Sequence, residues 1–347
     1  MANQYIEIKM VDRIDPSDQL SLDDFSQDID DCAKVSCLAP YGFLFPYGDT
    51  ASKPLMYFHN NNLNRIRHNG ITYLGDDYLK PQHFGLHHKD MAQSGKSEYV
   101  KRYEREDGEP LKYILEMKNP KCVIEVTEDD VQVQESDILN IKLRPLNFAY
   151  FDHHCLSNVG YQYLQPCFIS GYFEGKPVVG MGNFDRFYLP PIINNDALGE
   201  SVYLMIMGHG VKEDGRIESY YISVNYASFD AEKRKVCGVY YIDGEEPIYS
   251  ESCIIDTVWE HLDYVDDDTC IFGNALIKIG PKIIHFTGKW GSKGFTEKPR
   301  IERHGQAQVF GTFYEGDESY EHKLYFTFNE TLNCFGENLK KYGFKVM

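Results

Sequence analysis

Four short stretches in the first half of the chain alternate apolar and polar side chains almost without a break. They are LKYILEM (Leu111–Met117), CVIEVTE (Cys122–Glu128), VQVQESD (Val131–Asp137) and LNIKLRPL (Leu139–Leu146). Successive side chains of a strand point to opposite faces. Val131 and Val133 against Gln132 and Gln134, or Leu139, Ile141 and Leu143 against Asn140, Lys142 and Arg144, therefore give one face to a core and one to water. Turn formers such as KNPK and DD separate the stretches, so the pattern breaks about every eight to ten residues and reads as an antiparallel meander.

The texture returns after a loop-rich centre. SVYLMIMGHGV and RIESYYISVNY flank the tight turn KEDG, and KVCGVYYID and EPIYSESCII flank GE. NALIKIGPKIIHFTGKWG and QAQVFGTFYEGDESYEHKLYFTF complete a second strand-rich half. The aromatic content agrees, because 26 Tyr and 21 Phe beside 2 Trp suit pleated, half-buried surfaces. Helix is expected only in DTVWEHLDYV (Asp256–Val265) and TLNCFGENLKKYG (Thr331–Gly343). Residues 1–50 are acidic and turn-rich, and LAPYGFLFPYG within them suggests a covering loop or an irregular first strand. A chain of 347 residues is long enough for two cores. The prolines and polar loop of FYLPPIINNDALGE place the boundary near 190, giving domains 1–190 and 191–347. The expected class is all-β, two antiparallel barrels or strongly curved sandwiches in tandem with few short helices.

With 35 basic and 53 acidic side chains, the formal charge is −18. Such a surface repels phosphate backbones and anionic headgroups, so neither nucleic acid nor a membrane surface is the expected partner. The opening MANQYIEIKMVDRIDPSD has no apolar signal region, and no stretch approaches a transmembrane length. Nine scattered cysteines, an odd number with no CxxC pair, point to buried reduced thiols and a cytoplasmic setting rather than disulfides or zinc. No cofactor and no metal are expected.

GYFEGKPVVGMGNFDRFY (Gly171–Tyr188) spaces glycines through a β-branched run and ends in an acid, a base and aromatics. This stretch is similar to the central segment of the two-domain lipocalin-like family that includes carotenoid hydratases (hydroxyneurosporene synthases) and, more distantly, tocopherol cyclases. Gly171, Gly175, Lys176, Gly180, Gly182, Phe184 and Asp185 match its pattern. Arg186 stands where the family has His, Tyr188 where it has Trp, and Leu189 where it has Gly. A second partial match, YFDHHC (Tyr150–Cys155), supplies His153 and His154. The resemblance implies tandem lipocalin-like barrels and a proton-donating role for Asp185. Hydrating an alkene needs an acid that protonates carbon and a cavity that tolerates a cation, which tyrosine faces can stabilise. Arg186 opposes that role if the two side chains meet, because a guanidinium keeps a carboxylate ionised. If Asp185 instead caps a turn or pairs with an arginine, it is a structural residue.

The candidate catalytic residues are thus Asp185, Arg186 and His153. Tyr188, Phe184, Tyr150 and His154 are candidate ligand contacts, with Glu302 and His304, which share a strand face with Arg300 in KPRIERHGQA. That face is equally a solvent-facing salt-bridge stripe. His153 with His154 cannot both face one metal from a strand, and Gly85 breaks the helix that His83 and His87 would need to share a face. GHG (Gly208–Gly210) is too short for a phosphate loop, and no nucleophile elbow is present. The expected function is binding of a hydrophobic small molecule in a β-barrel cleft, with hydration, isomerisation or cyclisation as the chemistry. The alternatives are an intracellular carrier or sensor without turnover, and a carbohydrate-active β-sandwich.

Overall fold

The structure is a computed structural model that describes residues 6–10, 37–62, 65–83, 99–104, 112–118, 121–127, 129–152, 161–188, 202–226, 235–262, 268–294, 306–332 and 334–347. Strands dominate, and they form two strongly curled antiparallel half-barrel sheets, as the alternation predicts. The chain divides into two compact units, one made of Met1–Tyr73, Gly85–Phe151 and Gln162–Pro191, the other of Leu74–Phe84, Asp152–Tyr161 and Ile192–Met347.

In the first unit the strands run across the sheet in the order Arg65–Thr72, Leu55–Asn62, Cys37–Pro46, Lys176–Tyr188, Tyr161–Phe173, Leu139–Pro145, Val131–Glu135, Lys121–Val126, Lys112–Lys118 and Tyr99–Glu104. The turn-rich start of the chain thus contributes a long central strand, Cys37–Pro46. The glycine-punctuated segment is half of the hairpin beside it, turned by Glu174 and Gly175, both at positive φ. Gly180 and Gly182 lie where this strand meets its neighbour too closely for a side chain. A Cβ would fall 1.7 Å from the Phe43 carbonyl oxygen and 2.0 Å from that of Tyr41. These glycines let the sheet curl.

In the second unit the order is Ile248–Ser250, Lys235–Ile242, Ile217–Tyr226, Val202–Val211, Leu324–Leu332, Gln306–Glu315, Lys282–Gly294, Asn274–Ile279 and Ile254–Thr257. Its core gathers Leu204, Ile206, Ile222, Val309, Phe313 and Phe286 around the buried Trp259. Two expectations about helices part here. Gly336–Lys341 is helical, within the C-terminal segment expected to be so. The described part of Asp256–Val265 is not helical: strands Ile254–Thr257 and Glu260–His261 run through it. The extended segment instead delivers Trp259 edge-on to Phe272 and Phe344. The Trp259 amide donates to the Lys345 carbonyl and its carbonyl accepts from the Met347 amide, so extended pairing wins over local propensity. No helix among the described residues is long and apolar enough to cross a membrane.

Candidate functional site

Asp185 lies on the central hairpin of the first unit with 1% exposure. Tyr41 sits directly opposite Asn183 on the neighbouring strand, one diagonal step from Asp185 on the same face. The Tyr41 hydroxyl donates to Asp185 Oδ2 at 2.6 Å and the Gln162 amide to the same oxygen at 2.7 Å. Asn183 Nδ2 in turn donates to the Tyr41 oxygen at 3.1 Å. Two donors thus converge on one carboxylate oxygen. Arg186, the next residue, turns to the other face, where its guanidinium lies 4.2 Å from the Tyr163 ring centre and 5.5 Å from that of Phe184. Strand alternation therefore assigns Asp185 and Arg186 to different surroundings.

Of the other expected residues, Phe184 is buried beside Arg186, and Tyr150 is buried edge-on to Phe148. Tyr188 closes its strand, and its side chain lies outside the described ones. His153, His154, Glu302 and His304 also lie outside the described residues.

The second unit holds a polar centre that the sequence reading did not single out. Glu218 occupies the same strand face as Tyr220, Ile222 and Val224, so alternation carries a carboxylate into the apolar register. It is fully buried. The Tyr240 hydroxyl donates to Oε1 at 2.6 Å, while the Tyr320 hydroxyl and His322 Nε2 meet Oε2, the imidazole at 2.9 Å. Lys212 Nζ stands 3.9 Å from Oε1 and 4.1 Å from the centre of the Tyr320 ring. Burial acts to raise the Glu218 pKa, but the hydrogen bonds from His322, Tyr240 and Tyr320 outweigh it and hold the carboxyl below its ordinary range.

The GHG segment explains how this centre fits. Gly210 pairs with Glu218 and Gly208 with Tyr220. A Cβ on Gly210 would fall 2.1 Å from His322 Cδ2, and one on Gly208 2.4 Å from Tyr220 Cε1. The two glycines thus make room for two rings, which both pack on Phe313 at centroid distances of 4.3 Å and 5.0 Å. His209 between them faces the other way. It is buried with Nδ1 2.5 Å from Ser219 Oγ, and burial holds its pKa down at about 3, so this ring is neutral.

Inside the same face, the Tyr220 hydroxyl and both polar atoms of the Asn329 side chain are buried with no hydrogen-bond partner among the described residues. Such groups cost free energy unless something meets them. Burial, with the Glu218 charge, pushes the Tyr220 phenol up, so it stays a proton-bearing donor. Chemically the centre comprises a carboxylate-oriented imidazole, an unpartnered phenol, an unpartnered amide and an apolar lining.

The fold and site thus define an all-β protein of two curled sheets with a buried acid–base pair in one apolar interior. No family model matches the sequence, and no curated protein matches it. Solved structures resemble it in backbone course. A Nitrosomonas europaea protein provisionally assigned as AttH is 11% identical with a TM-score of 0.48, covering 93% of this chain and 100% of that one. CghA with Sch210972 is 10% identical with a TM-score of 0.47, covering 87% and 89%. Kievitone hydratase from Nectria haematococca is 8% identical with a TM-score of 0.36, covering 88% and 90%.

Proposed function

We propose that the chain binds a hydrophobic small molecule bearing a carbonyl oxygen inside the curled sheet of the second unit, and moves a proton on it. The observation that carries this reading is the Glu218–His322 contact within an interior where Tyr220 and Asn329 present unsatisfied polar groups. Glu218 fixes the Nε2–H tautomer of His322 and leaves Nδ1 as the basic nitrogen. In a proton shift next to a carbonyl, the imidazole takes the proton from carbon, the electron pair moves onto the carbonyl oxygen, and the Tyr220 O–H receives the developing charge. The imidazolium then returns its proton to another carbon of the conjugated system, which completes an isomerisation. Adding water across an activated double bond uses the same groups. An isolated alkene would need a stronger acid than imidazolium, so the substrate class is a conjugated carbonyl compound rather than a plain polyene. Asp185, with two donors on Oδ2, serves in this reading as the anchor of the central hairpin of the first unit.

Denaturing extraction of purified protein, followed by mass spectrometry, identifies the copurified compound and supplies the substrate for assay. His322→Gln is expected to lower turnover about 10²–10⁴-fold while the compound is still bound. Undiminished turnover by folded His322→Gln, or an extract holding no apolar compound, overturns the proposal.

A further inference from the structure

A second cluster in the C-terminal unit is built on a short hairpin rather than in the curled sheet's interior. His261 and Cys270 are register partners in the two-stranded pairing of Glu260–His261 with Cys270–Ile271, and Asp268 precedes Cys270 by two positions. His261 Nδ1 lies 3.2 Å from Asp268 Oδ1 and 3.4 Å from Cys270 Sγ, and the three donor atoms all fall within 4.8 Å of one another. Around a tetrahedral Zn²⁺, with bonds of about 2.0–2.3 Å, neighbouring nitrogen, oxygen and sulfur donors stand about 3.3–3.6 Å apart. The two separations from the imidazole nitrogen are therefore close to the edges of such a tetrahedron.

Two further observations point the same way. The other carboxylate oxygen, Asp268 Oδ2, accepts the Glu337 amide N–H at 3.1 Å, which orients Oδ1 toward the imidazole as outer hydrogen bonds orient metal-ligating carboxylates. Gly336 leaves the space beside the cluster open. A Cβ there would fall 2.9 Å from Asp268 Oδ1 and 3.0 Å from His261 Cε1.

We propose that His261, Asp268 and Cys270 form a Zn²⁺ site with three protein ligands, independent of the Glu218 centre. The mixed nitrogen, oxygen and sulfur set suits zinc better than calcium or magnesium, which take oxygen alone. The thiol loses its proton to solvent on binding, and no electron changes hands. His261 and Asp268 have side chains 44% and 39% exposed, so water reaches the fourth position and the ion exchanges with solvent. The ligand spacing, H-x6-D-x-C, contains no CxxC pair, which is why the cysteine pattern led to the expectation of no metal.

Titration of metal-free protein with Co²⁺ tests this. The full chain is expected to develop the visible bands of tetrahedral Co²⁺ and a near-ultraviolet thiolate charge-transfer band, both displaced by equimolar Zn²⁺. Cys270→Ser is expected to lose the charge-transfer band. His261→Gln, at an exposed position where folding is not at stake, is expected to lose the tetrahedral spectrum, with far-ultraviolet circular dichroism unchanged in both variants. Absence of the bands in the unmodified chain overturns the assignment, as does their persistence in His261→Gln or Cys270→Ser.

Discussion

Replacing Glu218 by Gln keeps the size of the side chain and removes its charge, which isolates what the carboxylate does. Three donors converge on it, from Tyr240, Tyr320 and His322. A hydrogen bond to a charged group contributes about 1.5–3 kcal/mol and a neutral one about 0.5–1.5, so neutralising the acceptor forfeits about 3–4 kcal/mol over three bonds. The amide also turns an N–H₂ toward one of these donors. Against this, the variant no longer buries a charge, which returns part of the loss. The net expectation is a C-terminal unit less stable by about 1–3 kcal/mol at neutral pH. Tryptophan fluorescence during urea unfolding is the assay, because the two tryptophans of the chain, Trp259 and Trp290, both belong to the second unit and report on it alone. The pH dependence supplies an internal control. Glu218 is held below the ordinary value of 4.5, so its contribution is present above that value and lost as pH falls through the lowered folded one. The gap between wild type and Glu218→Gln should close over that acid window. A variant as stable as wild type at neutral pH, or a gap that ignores pH, would refute the picture of an ionised carboxylate at the centre of the network.

His209 offers a second linkage test on the opposite face of the neighbouring strand, Val202–Val211. Its folded pKa of about 3 lies below the usual histidine value of about 6.5, so the unfolded chain takes up a proton that the folded one refuses. Its contribution is therefore intact above about pH 6.5 and declines by about 1.4 kcal/mol per pH unit as pH falls toward about 3. His209→Asn should lower stability at neutral pH yet flatten this slope, and parallel stability–pH curves would contradict the assignment of a neutral ring. Asp185→Asn separates anchoring from catalysis. Hydrogen exchange in Cys37–Pro46 and Lys176–Tyr188 should quicken while conversion of the extracted compound persists. Loss of conversion with unchanged exchange would restore Asp185 as the working acid.

The all-β class and the antiparallel meander were legible because each depends on short-range signals, such as the alternation in Val131–Glu135 and Leu139–Pro145. The Asp256–Val265 misassignment marks where such signals stop. What makes that segment extended is pairing with Lys345 and Met347, which lie more than eighty positions away. The Glu218 centre was hidden for the same reason in a stronger form. Tyr320 and His322 reach the carboxylate across 102 and 104 positions, and no local pattern links them. One half of the signal was present, since Glu218 stands in the register of Tyr220, Ile222 and Val224, where an unpaired charge would be too costly to bury. The GHG glycines were the other half. They have no use as a phosphate loop, but two small residues facing a Glu and a Tyr across a strand pair imply that large rings must lie over them. An inward-register carboxylate opposite a side chain reduced to hydrogen is thus evidence of a third group arriving from elsewhere in the chain, and here that group is the imidazole of His322.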